Sequence, residues 1–101
     1  MSWLSRIFSN LRSSDITVEV TQLDINLGQS RRSCECPVAL ALYRTFDKRM
    51  TVGYTTCTFI DTFESYYLPE NVSAFISHFD QGRPVKPFSF VINLKKDKVV
   101  W

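Results

Sequence analysis

A proline that begins the most apolar helical segment of the chain constrains the fold more than any other feature. Pro37 follows a polar, basic loop and precedes the mainly apolar run from Val38 to Phe46. A proline suits the first position of a helix because its missing N–H needs no partner there and its fixed φ already matches the helix. The sequence therefore predicts a central helix that begins at Pro37.

The segment before this helix contains one strand and one short helical turn. Residues 16–20 alternate β-branched apolar residues with polar ones, a pattern typical of a half-buried strand. Thr21 and Asp24 have the spacing of a capping box, in which each residue hydrogen-bonds the backbone of the other. We therefore expect a short helix from this point that ends at Gly28.

The segment after the central helix contains a meander, a second main helix and a last strand. Three short strands joined by tight links are predicted at 50–54, 57–61 and 64–68. A helix is predicted to begin at Pro69 and to end at Gly82, and residues 88–94 then alternate as a strand.

The order of these elements predicts the fold class. It indicates an α+β domain with a mostly antiparallel sheet of about five short strands and two helices on one face. At 101 residues the chain accommodates a single core. The predicted organisation is an amphipathic N-terminal helix at 1–14, a single α+β domain at 15–94 and a C-terminal tail at 95–101.

The first 14 residues carry an apolar stripe with helical spacing. The stripe consists of Trp3, Leu4, Ile7, Phe8 and Leu11. Packing on its own domain is the plainest interpretation, followed by docking to a partner protein or a second copy, and then by binding to a membrane surface. An apolar helix and an apolar C-terminal end on so small a domain favour a homo-oligomer.

The loop before the central helix is the one locally basic and wholly polar segment. Its arginines and serines precede a helix N-terminus, where the free N–H groups of Val38 and Ala39 favour phosphate or carboxylate. Tyrosines elsewhere offer rings on which a base could stack. The predicted ligand-binding residues are Ser30, Arg31, Arg32, Ser33, Tyr43, Tyr66 and Tyr67.

The three cysteines leave metal and nucleophile hypotheses open beside a purely structural one. Cys34 and Cys36 are separated by one residue, whereas paired zinc ligands are usually separated by two to four residues. A catalytic cysteine at the helix N-terminus, with His78 as its base, should have a lowered pKa. Structural thiols are the simpler interpretation of these two residues and Cys57, and we predict no metal and no cofactor.

Composition excludes some classes of function. A net charge of +2 argues against a generic nucleic-acid binder, which usually needs a domain-wide basic field. No paired carboxylates, glycine-rich phosphate loop or Ser/His/Asp arrangement is evident, and this disfavours an enzyme. No apolar run is long enough to cross a bilayer and no signal peptide is evident, so we predict a cytoplasmic location.

Several short motifs, in order, resemble those of a family of small uncharacterised bacteriophage and bacterial proteins. The motifs are TQxDI at 21–25, CPVALAL at 36–42 and FDxGxPVxPFSF at 79–90. The resemblance covers about residues 16–94. It implies an accessory protein expressed in a bacterial cytoplasm, which for a phage is the host cell, but it implies no particular activity.

Small accessory proteins often bind and block a component of the host, and this suggests two functional hypotheses. The first is a non-enzymatic protein that sequesters an anionic small molecule, such as a nucleotide-like defence signal. The second is a protein-binding inhibitor or adaptor that acts through the N-terminal helix or a sheet edge. A cysteine-dependent enzyme is the least favoured hypothesis.

Overall fold

Two antiparallel sheets form the framework of residues 15–100, where the sequence predicted one sheet. The computed structural model describes residues 15–100. The strands are β1 (Asp15–Val20), β2 (Met50–Val52), β3 (Thr56–Phe59), β4 (Ser65–Tyr67) and β5 (Phe88–Asn93). The helices are α1 (Gln22–Leu27), α2 (Pro37–Phe46) and α3 (Glu70–Asp80). The α+β class is confirmed, and the helix predicted at 1–14 lies outside the described residues.

The first sheet joins β1 to β5, two strands that are far apart in the sequence. They pair antiparallel over six residues each, with Asp15 opposite Asn93 and Val20 opposite Phe88. Val18 and Val20 of β1 are almost completely buried, Ile16 is half-buried, and Thr17 and Glu19 are exposed. The alternation predicted from the sequence therefore places one face of this sheet on the core.

The second sheet is the predicted meander, in the order β2-β3-β4. Its strands are shorter than predicted because the chain reverses earlier. The N–H of Gly53 donates to the carbonyl of Thr56 at 2.8 Å, which makes residues 53–55 a turn. The N–H of Phe63 donates to the carbonyl of Phe59 at 2.9 Å and closes the β3–β4 loop.

The prediction of one sheet of about five strands is wrong, because within residues 15–100 neither β1 nor β5 pairs with β2, β3 or β4. The two sheets are connected by α2 and by the C-terminal segment. Helix α2 packs against both β1 and β2. After β5 the chain turns, and the N–H of Asp97 donates to the carbonyl of Asn93 at 2.9 Å. Residues 97–99 then lie along β4, since Tyr67 donates to Asp97 and Val99 donates to Ser65, each at 2.8 Å. Part of the predicted tail is thus packed on the domain.

Local signals set the helix boundaries. The capping box is present: the N–H of Asp24 donates to the Thr21 hydroxyl at 3.2 Å, and the N–H of Thr21 donates to the Asp24 carboxylate at 2.8 Å. Helix α2 begins at Pro37, as predicted. Gly82 follows the end of α3 with φ of +74°, a conformation that glycine adopts without strain.

One core is shared by the sheets and by α2 and α3. Its largest fully buried side chains belong to Leu42, Met50, Ile92, Val18, Val20, Val38, Val72, Pro37 and Cys57. Among the described residues, the helices are too short or too polar to cross a membrane.

Candidate functional site

A cleft of about 280 Å³ opens where the loop before α2 meets the β2–β3 turn and α3. Three segments that are distant in the sequence form its walls, and both charged and apolar side chains line it. The lining residues are Arg31, Arg32, Ser33, Cys36, Val52, Gly53, Tyr54, Ile76 and Asp80. The basic loop predicted as an anion site therefore borders a real concavity.

The conformation of this loop is fixed by backbone hydrogen bonds. Arg31 has φ of +60°, in the left-handed region that non-glycine residues rarely adopt. Its N–H donates to Oδ1 of Asp80 at 2.9 Å, and this bond offsets the cost of the conformation. The carbonyl of Ser33 accepts the N–H of Val52 at 2.8 Å. The loop is thus attached to α3 on one side and to β2 on the other.

Asp80 connects the loop to the β2–β3 turn. A carboxylate in the last turn of a helix is disfavoured by the helix dipole, so it needs compensating donors. Besides the N–H of Arg31, the Tyr54 hydroxyl donates to Oδ2 of Asp80 at 3.1 Å. This hydrogen bond raises the pKa of Tyr54, and the negative charge of Asp80 adds to the effect. The hydroxyl of Ser73 in α3 also donates to the carbonyl of Tyr54.

Two guanidinium groups and one carboxylate line the cleft. Within residues 15–100, the guanidinium of Arg31 has no hydrogen-bond or ion-pair partner. Arg32 lies 3.9 Å from Glu35, and both side chains are largely exposed, so their interaction is weak. The carboxylate of Asp80 already accepts two hydrogen bonds. Two guanidinium groups thus remain available to an anion at the rim.

Cys36 lies at the floor of the cleft as the N-cap residue of α2. It is buried, and burial raises the pKa of its thiol. The backbone N–H groups of Ala39 and Val38 act in the opposite direction but do not outweigh burial. The expectation that the helix N-terminus lowers the pKa of a catalytic cysteine is therefore wrong for Cys36. Burial destabilises the thiolate more than the hydrogen bonds from these two N–H groups stabilise it.

Only some of the predicted ligand-binding residues lie close together in the structure. Arg31, Arg32 and Ser33 line the cleft, and Ser30 is exposed beside it. Val38 and Ala39, whose N–H groups were expected to hold phosphates, are buried and do not line the cleft.

The three predicted tyrosines lie elsewhere. Tyr43 is exposed on α2 and Tyr67 is exposed on β4. Tyr66 is buried and packs edge-on against Phe59, with ring centroids 5.8 Å apart. None of the three lines the cleft, where Tyr54 supplies the aromatic ring instead.

Sequence reasoning missed both Tyr54 and Asp80. Tyr54 was included in a predicted strand, although Gly53 immediately before it is a turn signal. Asp80 stands at the end of a predicted helix, where an acidic residue opposes the dipole, and that anomaly was the available sign of a specific partner.

The other candidate ligands and nucleophiles do not assemble. Cys57 is buried in β3, and burial raises the pKa of its thiol to about 12. His78 is exposed on α3, and Cys34 is half-buried in the loop. Within residues 15–100, no three His, Cys, Asp or Glu side chains lie close enough together to hold a metal ion.

Comparisons with known proteins matched no family model, no curated protein and no solved structure. The resemblance of residues 16–94 to small bacteriophage and bacterial proteins stays a prediction.

Proposed function

We propose that this protein binds a small anionic ligand of the nucleotide type in the cleft beside Arg31 and Arg32, without acting on it chemically. The observation that carries the proposal is the attachment of the loop to Asp80. By holding the Arg31 backbone in a left-handed conformation, this contact keeps both arginines at the rim of one concavity. Binding sites are usually preformed in this way, because ordering a loop costs binding free energy.

The chemistry of the walls suits a phosphate attached to a planar group. Guanidinium groups bind phosphate oxygens through two parallel hydrogen bonds, and the Ser33 hydroxyl can donate a further one. Tyr54, which also lines the cleft, offers an exposed ring on which a base can stack. A volume of about 280 Å³ lies just below the usual range for ligand pockets, which favours a ligand no larger than a single nucleoside phosphate.

A binding role fits these groups better than a catalytic one. The Cys36 thiol, which lies closest to the cleft among the cysteines, is held protonated by burial. Asp80 is occupied by two donors and so is a poor general base. With the resemblance to phage and bacterial proteins, this supports an accessory protein that sequesters a nucleotide signal of host defence.

Calorimetry with nucleoside mono- and diphosphates and cyclic dinucleotides tests the proposal. The double variant Arg31→Ala with Arg32→Ala should lose binding and keep its melting temperature, because both side chains are exposed. The matched control is Lys95→Ala with Lys96→Ala, which removes the same charge from an exposed turn away from the cleft. Equal affinity of the two double variants, or no binding of any nucleotide by the native protein, would overturn the proposal.

A second candidate function is strand addition by a partner protein at β5. Within residues 15–100, β5 has β1 as its strand neighbour on one side and no strand on the other. The side chain of Val91 is 43% exposed on this strand. An uncovered strand edge is a template for pairing with another chain.

Strand addition at the open edge of β5 can be tested without a change to the cleft. If a host protein adds a strand to β5, the β5 amides should exchange more slowly with deuterium when that protein is present. Val91→Lys should weaken the interaction, because a charged edge residue discourages pairing. Slower exchange in the cleft alone would contradict this candidate.

A further inference from the structure

A second groove, of about 710 Å³, runs along β3 and β4 beside the loop that joins them. It shares no lining residue with the cleft at Arg31. The residues that line it are Thr56, Thr58, Thr62, Phe63, Glu64, Ser65, Lys98 and Val99. The groove lies on the face of β3 opposite to the buried side chain of Cys57.

Hydroxyl groups dominate the polar surface of this groove. Four of its eight lining residues are threonine or serine. Oγ of Ser65 and Oγ1 of Thr58 lie 2.7 Å apart across the β3–β4 pair, and the Thr62 hydroxyl donates to Glu64 at 3.3 Å. Ser65 is buried, whereas Thr58 is half-buried and Thr62 is exposed, so the two threonine hydroxyls, which both donate and accept, keep capacity for a further bond. Such a surface matches a ligand that carries many hydroxyl groups.

The charges in the groove compensate each other. Nζ of Lys98 lies 2.8 Å from Oε2 of Glu64, and the two form an ion pair between the β3–β4 loop and the C-terminal segment. The hydrogen bond from Lys98 lowers the pKa of Glu64, so the carboxylate is ionised at neutral pH. The groove thus has charged hydrogen-bonding groups but no excess of either sign, which favours a neutral ligand over an anion.

Phe63 occupies a position that the turn itself does not favour. The β3–β4 loop is closed by the hydrogen bonds from Phe63 to Phe59 and from Phe59 to Glu64, both at 2.9 Å. Phe63 has φ of +63°, where glycine or asparagine is preferred and a bulky residue is strained.

Packing does not compensate for this strain. Phe63 is 75% exposed, the most exposed aromatic residue among those that the structure describes. Strain of this kind, without a gain in burial, marks positions where the side chain is needed for function.

We propose that this groove binds a neutral saccharide. The apolar face of a pyranose ring would lie on the Phe63 ring, and the sugar hydroxyls would exchange hydrogen bonds with Thr56, Thr58 and Thr62. The Glu64–Lys98 pair at the groove wall accepts from and donates to the same ligand. A saccharide site needs a flat apolar contact and several polar partners. The Phe63 ring supplies the apolar contact, and the threonine hydroxyls and the Glu64 carboxylate supply the polar partners.

The test uses the full-length protein on a glycan array of neutral mono- and oligosaccharides, followed by saturation-transfer NMR with the best binder. The decisive variant is Phe63→Asn. Asparagine tolerates the left-handed conformation, so this variant should melt about 4 °C higher than the native protein. It should also bind the saccharide about tenfold more weakly, because the aromatic contact is lost.

Two further variants separate the role of the ring from general effects. Phe63→Trp keeps an aromatic platform and should keep binding. Tyr43→Asn removes an aromatic residue that is 48% exposed but lies on α2 and does not line the groove, and it should leave binding unchanged. The proposal is overturned if no neutral saccharide binds, or if Phe63→Asn binds as tightly as the native protein.

Discussion

Arg44 donates to both carboxylate oxygens of Asp24, with its two terminal nitrogens at 2.7 and 2.8 Å. One of these nitrogens also donates to the carbonyl of Glu19 in β1 at 2.7 Å. Because Asp24 also belongs to the capping box of α1, a single guanidinium links α2, the start of α1 and the end of β1. Arg44 lies in the last turn of α2, so this contact holds the C-terminal end of the helix whose N-terminus borders the cleft.

Asp24→Asn should destabilise the protein by about 2 kcal/mol at neutral pH, since it weakens a bidentate pair with a buried carboxylate and a half-exposed arginine. Glu35→Gln, at an exposed pair 3.9 Å apart, should change stability little. Urea denaturation measures both changes, and equal effects would contradict the role given to the Arg44–Asp24 pair.

The same carboxylate should contribute to acid sensitivity. Burial alone raises the pKa of Asp24, but the hydrogen bonds from Arg44 and Thr21 outweigh it and hold the pKa below its ordinary value of 3.8. A carboxyl group whose pKa is lower in the folded state than in the unfolded state stabilises the protein at pH values above its unfolded-state pKa. This stabilisation is lost as the pH falls through the folded-state pKa. Stability of the native protein should therefore fall more steeply below about pH 4 than stability of Asp24→Asn. Parallel curves would show that Asp24 is not the group responsible.

Gly28→Ala should destabilise the protein by about 1–3 kcal/mol, because the added carbon would overpack the site. A Cβ at position 28 would lie 2.6 Å from Cγ and Cδ of Pro37, the first residue of α2. Gly53→Ala is the matched control, since the nearest atom to its Cβ would be 3.5 Å away. Thermal melts compare the two variants, and a greater loss at position 53 would contradict the packing described for Pro37.

Asp80→Asn should lower the pKa of Tyr54 towards 10, because the hydrogen bond to the carboxylate and its charge both keep the phenol protonated. NMR titration of the Tyr54 ring measures the change. An unshifted Tyr54 would mean that the Tyr54–Asp80 contact is not formed in solution.

Iodoacetamide should modify Cys34 well before Cys36 or Cys57 in the folded protein. Cys34 is half-buried, whereas the other two are buried and their thiol pKa values are raised, to about 12 for Cys57. Mass spectrometry of digests gives the order, and all three should react in denaturant. Rapid modification of Cys36 in the folded state would restore the cysteine-enzyme hypothesis.

Short-range signals in the sequence were sufficient for the helices. The capping box of Thr21 and Asp24, the N-terminal Pro37 and the terminating Gly82 each act within a few residues, so the boundaries they predict match the structure. The division into two sheets was not predictable in this way. It depends on α2 contacting two strands and on residues 97–99 pairing with β4, and both arrangements are set by tertiary packing.

The sequence predicted only the part of the candidate site that consists of neighbouring residues. Arg31, Arg32 and Ser33 are adjacent in the sequence, so one basic loop identified them together. Tyr54 and Asp80 are 26 residues apart and reach the cleft from a turn and a helix end. Choosing among the exposed tyrosines required the fold, since Tyr43 and Tyr67 have the same chemistry but lie elsewhere.

Native mass spectrometry of the protein, purified gently from bacterial cells, tests the central claim most directly. The account predicts a mass excess that corresponds to a nucleotide or another phosphorylated compound, and predicts its loss in Arg31→Ala with Arg32→Ala. An unliganded mass that stays unchanged after incubation with a nucleotide extract of the same cells would contradict it.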